Sequence, residues 1–126
     1  MLKNENVVRK KSFLFAVRIV RLYQYLTSVE NRNREVILSK QILRSGTSIG
    51  ANIRESRNAQ TVKDFLTKHY IASKEADETG YWLELLKETG YITEEQYDSI
   101  NQDCEEIMKL LTSIIKTTKK NNPDLK

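Results

Sequence analysis

Between Ser45 and Ile53 the chain gathers Ser, Gly, Thr and Ala into a segment whose large apolar residues keep helical spacing. Leu38, Ile42, Ile49 and Ile53 recur at steps of four and seven, one stripe of a 3.6-residue period. Gly46 and Gly50 lie four apart on that segment, and each costs about 1 kcal/mol against Ala in a helix interior. Two such costs imply that another backbone approaches closely there. The segment predicts a continuous or kinked helix from about Arg34 to Arg57, pressed on a neighbour. A turn at the small residues is the alternative, and the unbroken isoleucine register argues against it.

The same periodicity predicts three more helices. From about Arg9 to Ser28, Phe15, Ile19, Leu22 and Leu26 form one apolar face. Phe13, Ala16, Val17, Val20 and Tyr23 form a second, leaving Arg18, Arg21 and Tyr25 on a narrow polar arc. A helix apolar on two sides must bury both, and a single small domain supplies cover for one. In the third helix, Thr61 with Asp64 marks a start, Gly90 a left-handed end, and Phe65, Ala72, Ala76, Leu83 and Leu86 a core stripe. In the fourth, Thr93 and Gln96 form a capping box between Ile92 and Tyr97. The seam then runs Tyr97, Ile100, Cys104, Ile107, Leu111 and Ile114. The only proline is Pro123, so nothing interrupts these helices. Short connections predict an all-α, antiparallel up-down-up-down four-helix bundle. It spans 9–120, with a flexible N-terminus over 1–8 and a disordered tail over 121–126, and assembles as an oligomer.

The 126 residues suffice for one domain. They hold no apolar run of membrane-spanning length, no secretion-type apolar segment near Met1, and one cysteine, Cys104. The expected location is the cytoplasm, where a lone thiol stays reduced. The net charge of +4 conceals a split: residues 1–63 carry 13 Lys/Arg against 4 Asp/Glu, and residues 64–126 carry 8 against 13. Arg9, Lys10, Lys11, Arg18, Arg21, Arg44, Arg54 and Arg57 fall on the first two helices. If those helices share a surface, a symmetric oligomer repeats one basic patch, a footprint for phosphate backbones. The competing reading is a solvated face with salt bridges between the halves. No RNA-recognition, zinc-finger or homeodomain signature adds to the first.

Catalytic and metal chemistry find little support. One histidine, His69, and one cysteine cannot build a metal cluster. His69 sits beside the core stripe of the third helix, where packing or an interhelical hydrogen bond is the simpler role. Cys104 lies on an apolar stripe with no base indicated nearby. Glu75 and Glu78, with Trp82, line one flank of the third helix. Two carboxylates on one face suit acid/base work or a cation, but a polar network with Arg44, Asn52 or Arg54 is the better reading. Asn52 and Glu55, three apart, suit a ligand contact, and a helix-terminal or interhelical hydrogen-bond network explains them equally well. No catalytic residue, metal site or cofactor is expected.

Several of these blocks carry a family resemblance. Lys11-Ser12-Phe13 with Ala16-Val17, then Gln41-Ile42-Leu43-Arg44-Ser45, Ser48-Ile49-Gly50-Ala51-Asn52-Ile53 with Glu55, and Lys74-Glu75-Ala76 through Tyr81-Trp82-Leu83 are its motifs. Across roughly residues 9–118 the chain resembles the four-helix bundle proteins named for the reading frame inside 23S rRNA intervening sequences, also labelled S23 ribosomal proteins. Many members carry Pro at the position of Gly50 and a small residue at that of Arg54. The resemblance implies a homopentameric barrel. It also brings in the accessory protein of diversity-generating retroelements, which binds nucleic acid and a reverse transcriptase through a basic surface. The expectation is a non-enzymatic homo-oligomer that associates with RNA or DNA through helices one and two. The alternative is a scaffold presenting repeated surfaces to a protein partner.

Overall fold

A computed structural model describes residues 2–125; Met1 and Lys126 lie outside the described residues. Four helices follow in order: α1 (Leu2–Thr27), α2 (Leu38–Ser56), α3 (Val62–Glu88) and α4 (Glu94–Asn121). No strand occurs among the described residues. α1 packs on α2 and α4, and α3 packs on α2 and α4. Side-chain pairs across the α1–α4 and α2–α3 contacts run in opposite chain order: Lys11 meets Glu106 while Arg18 meets Asp103, and Arg44 meets Glu78 while Glu55 meets Lys68. No helix among them is long and apolar enough to cross a membrane.

The glycine-containing segment is helix throughout, and both glycines are contact points between α1 and α2. A Cβ on Gly50 would lie 3.2 Å from the backbone oxygen of Ser12, so here the neighbouring main chain itself fills the space. A Cβ on Gly46 would lie 2.7 Å from Ile19 Cγ1 and 2.9 Å from Cγ2. The core gathers the predicted stripes: Phe15, Ile19 and Leu26, Ile42, Ile49 and Ile53, Ala72, Ala76, Leu83 and Leu86, and the α4 seam from Ile100 to Ile114. Fully burying each large aliphatic or aromatic member contributes about 1.5–3 kcal/mol. Thr79, itself fully buried, donates to Glu75 O at 2.7 Å, and its hydroxyl lies 2.9 Å from that of Ser45 on α2, which can donate to it.

Three helix ends form as their capping residues dictate. Thr61 accepts from the Asp64 N–H, and Thr93 and Gln96 complete a reciprocal capping box. Gly90, at φ 83°, ends α3 with Tyr91 N–H on Leu86 O and Gly90 N–H on Lys87 O, the paired bonds of a Schellman motif.

Other boundaries differ from expectation. α1 begins at Leu2 rather than Arg9, because Val8, seven before Phe15, is fully buried and carries the core stripe one heptad further. α2 begins at Leu38 rather than Arg34. Arg34 donates to Thr27 O at 2.8 Å, finishing α1, and the Glu35 carboxylate accepts from the N–H groups of Ile37, Leu38 and Ser39 at 2.7–2.9 Å. A carboxylate on three otherwise unpaired N–H groups at a helix start is a strong cap. Asn122 donates to Thr118 O, and Leu125 N–H turns back on Asn122 O, over residues expected to be tail.

The second apolar face of α1 is left uncovered by its own chain. Phe13 is 55% exposed and Val20 37%, and Leu14 and Tyr25 beside them are about half exposed. Ala16, Val17 and Tyr23 are partly buried.

Candidate nucleic-acid interface

Two helices of opposite direction, kept close by glycine and alanine, leave a groove between them where their long side chains spread apart. On the α1–α2 side this groove has a volume of about 650 Å³. Gly50 and Ala51 line it from α2 and Ala16 from α1, and four cations surround it: Arg9 and Lys10 from α1, Arg54 and Arg57 from α2 and its C-cap. The Arg54 guanidinium stands 5.9 Å from the centre of the Phe13 ring, a cation–π contact that aims its charge across the groove. Glu55 is the one acid on the lining, and Lys68 pairs with it at 2.7 Å. Arg9 also donates to Asn6 Oδ1. Among the described residues Lys10, Arg54 and Arg57 make no ion pair, so the groove keeps a positive field.

The remaining predicted cations stand elsewhere. Lys11 bridges to Glu106 at 2.9 Å, and that hydrogen bond raises its pKa above the ordinary value. Arg18 binds Asp103 at 2.7 Å and also donates to the Ser99 hydroxyl and carbonyl. Both are tied to α4. Arg21 lies on the outer side of α1, lining a shallow cleft with Phe13, Val17 and Val20. Arg44 reaches α3. The structure thus divides the eight cations into a groove cluster of four, an outlying Arg21 and three that bridge to acids of the second half.

The polar residues expected to form one network also separate. Arg44 binds Glu75 at 3.1 Å and Glu78 besides, and Trp82 Nε1 donates to the same Glu78 oxygen at 3.0 Å. The Trp82 bond, followed by Arg44, lowers the Glu78 pKa, while its hydrogen bond to Glu78 raises that of Arg44. Asn52 instead donates to Ser48 O within its own helix, and Glu55 pairs with Lys68. Of the three partners that residue types suggested, only Arg44 reaches the acids; Asn52 bonds its own helix backbone and Arg54 lies in the α1–α2 groove.

Cys104 is buried and its Sγ donates to Ala76 O at 3.3 Å; burial pushes its pKa up to about 12. A thiolate nucleophile is far from accessible there. No cluster of three or more His, Cys, Asp or Glu capable of holding a metal occurs among the described residues. Sequence reasoning placed Phe13 on an apolar face and did not give it a role toward Arg54. Ser12, whose carbonyl meets Gly50, is a buried member of the core stripe between Val8 and Phe15, a small polar residue that the apolar pattern passes over.

These features define an all-α protein of four helices with a cationic groove between its first two. The chain belongs to the 23S rRNA-intervening sequence protein family, whose profile matches residues 4–113. It is similar to the crystal structure of a protein with unknown function from the S23 ribosomal protein family of Bacteroides thetaiotaomicron VPI-5482. The two share 61% identity at a TM-score of 0.85, over 90% of this chain and 98% of that one. Among curated proteins, none matches the chain.

Proposed function

We propose that this protein is a non-enzymatic, homo-oligomeric, up-down-up-down bundle that associates with RNA or DNA through the groove between α1 and α2. The observation that carries the reading is the convergence of Arg9, Lys10, Arg54 and Arg57 on one groove whose single acid is already paired with Lys68. Unpaired guanidinium and ammonium groups at this density suit phosphate oxygens, which recruit them through counterion release rather than base reading. Arg21 extends the patch along α1; Lys11, Arg18 and Arg44 contribute less, their charge being engaged by Glu106, Asp103, Glu75 and Glu78.

Oligomerisation is supported by the uncovered face of α1. In a homopentamer, the arrangement the resemblance implies, that face meets the next copy and the groove recurs around a basic rim. A non-enzymatic role is supported by the high thiol pKa of Cys104 and by the engagement of Glu75 and Glu78 with Arg44. A buried free cysteine suits the cytoplasm. A reverse transcriptase as protein partner rests on the family analogy alone.

The test is titration of labelled RNA and DNA at several salt concentrations. Four phosphate contacts per groove give a log–log salt slope of about −3 to −4, and Arg54→Gln with Arg57→Gln flattens it. No binding at low salt refutes the reading; a protein partner that survives nuclease and high salt favours the scaffold alternative instead.

A further inference from the structure

A second cavity, of about 550 Å³, lies at the end of the bundle where α2 hands over to α3. That is within the range of small-molecule sites. His69 lines it while only 1% exposed. Its Nδ1 stands 2.9 Å from Phe65 O, and a carbonyl only accepts, so Nδ1 carries the proton and Nε2 is left as an acceptor. Nε2 has no hydrogen-bond partner among the described residues, and since no buried side-chain polar atom among them lacks one, Nε2 opens onto the cavity. The Phe65 and His69 rings stack on each other, 4.1 Å apart and tilted by 31°, which puts an apolar aromatic surface beside the polar edge of His69.

The rim has the opposite chemistry. Arg9 and Arg57 reach it from two different helices. The first N–H groups of α3, at Val62 and Lys63, have no intrahelical acceptor, since Thr61 serves Asp64 and Phe65. Glu5 is the one carboxylate on the lining and opposes the added charge of a di- or triphosphate. The fitting ligand carries one anionic head for the arginines and helix start, and a flat body with an N–H for His69 Nε2.

We infer that this cavity binds a nucleoside monophosphate, its phosphate on Arg9 and Arg57 and its base against Phe65, donating to His69 Nε2. Arg9 and Arg57 line the α1–α2 groove as well. The nucleotide therefore has two sources: free in solution, or the 5′-phosphorylated end of a strand lying in the groove. Only the second source rests on the proposed nucleic-acid function.

As the single histidine, His69 is an unambiguous NMR reporter. AMP added to the intact protein shifts its ring resonances saturably, and Arg57→Gln weakens that binding about tenfold with an unchanged spectrum elsewhere. No shift at about 10 mM AMP, a concentration that saturates even a millimolar site, overturns the inference. So does inorganic phosphate that moves His69 as far and as tightly as AMP, because the base then contributes nothing. A 5′-phosphorylated oligonucleotide that moves His69, when its 5′-hydroxyl twin does not, identifies the strand end as the source. An AMP response with no strand binding at low salt leaves this site standing and removes the groove function.

Discussion

Gly46→Ala is the sharpest probe of how α1 and α2 meet. In an isolated helix the change gains about 1 kcal/mol. Here the new methyl lies 2.7 Å from Ile19 Cγ1, 2.9 Å from Cγ2 and 3.1 Å from Cδ1. Carbon contacts settle at about 3.5–4.0 Å, so two are short by most of an ångström. Any other staggered χ1 of Ile19 clears one of the two branches and leaves the other in contact. Ile19 is fully buried, so it has no solvent side to move into. Overpacking of this kind costs about 1–3 kcal/mol. Set against the helix gain, the net change runs from about zero to a loss of about 2 kcal/mol. Ile19→Ala alone costs about 2–5 kcal/mol by leaving a cavity, yet it removes all three clashing carbons. The double variant is therefore less destabilised than the sum of the singles by about 1–3 kcal/mol. Urea unfolding at fixed protein concentration reads both effects as midpoint shifts at constant slope. A Gly46→Ala protein stabilised by the full helix gain of about 1 kcal/mol, or strict additivity with Ile19→Ala, refutes the close contact.

Two further outcomes follow from the polar groups. Burial of His69 holds its pKa below the ordinary 6.5, against the Phe65 hydrogen bond and the Glu5 charge. Unfolding exposes a ring that protonates more readily, so stability is complete above pH 6.5 and declines as pH falls below it. Melting temperatures measured from about pH 8 to about pH 5 show this fall before the carboxylates titrate, and a flat profile contradicts it. Arg44→Ala leaves Glu75 and Glu78 unpaired one turn apart on α3. Because Arg44 is more than half exposed, the loss is at most about 1 kcal/mol and shrinks with added salt. A salt-independent loss argues against an electrostatic origin.

The helices were legible because their apolar periods and caps are local. Thr61, Gly90 and the Thr93–Gln96 box set their helix ends as their types demand, and the glycine segment announced a close approach that Ser12 and Ile19 supply. What escaped was long in reach or unusual in type. Glu35 caps α2 from outside the helix with a side chain that seldom serves there, so the start was placed at Arg34. Val8 continues the α1 stripe across a polar stretch, Arg9 to Lys11, that reads as a terminus. Seven of the eight cations lie on α1 or α2 and Arg57 caps α2, but they do not share one surface. Lys11 and Arg18 point toward α4 and Arg44 toward α3, and only tertiary packing decides which basic residues an acidic neighbour will claim.

The exposed Phe13 and Val20 make a direct demand on assembly. Light scattering of the purified protein at micromolar concentration measures it without labels or ligands. Copies that share the α1 face give a multiple of the 14.7 kDa chain mass, roughly 74 kDa for five. A Phe13→Glu, Val20→Glu variant returns that mass toward one chain. A parent protein that stays at 14.7 kDa leaves this apolar face open to water and contradicts the shared interface.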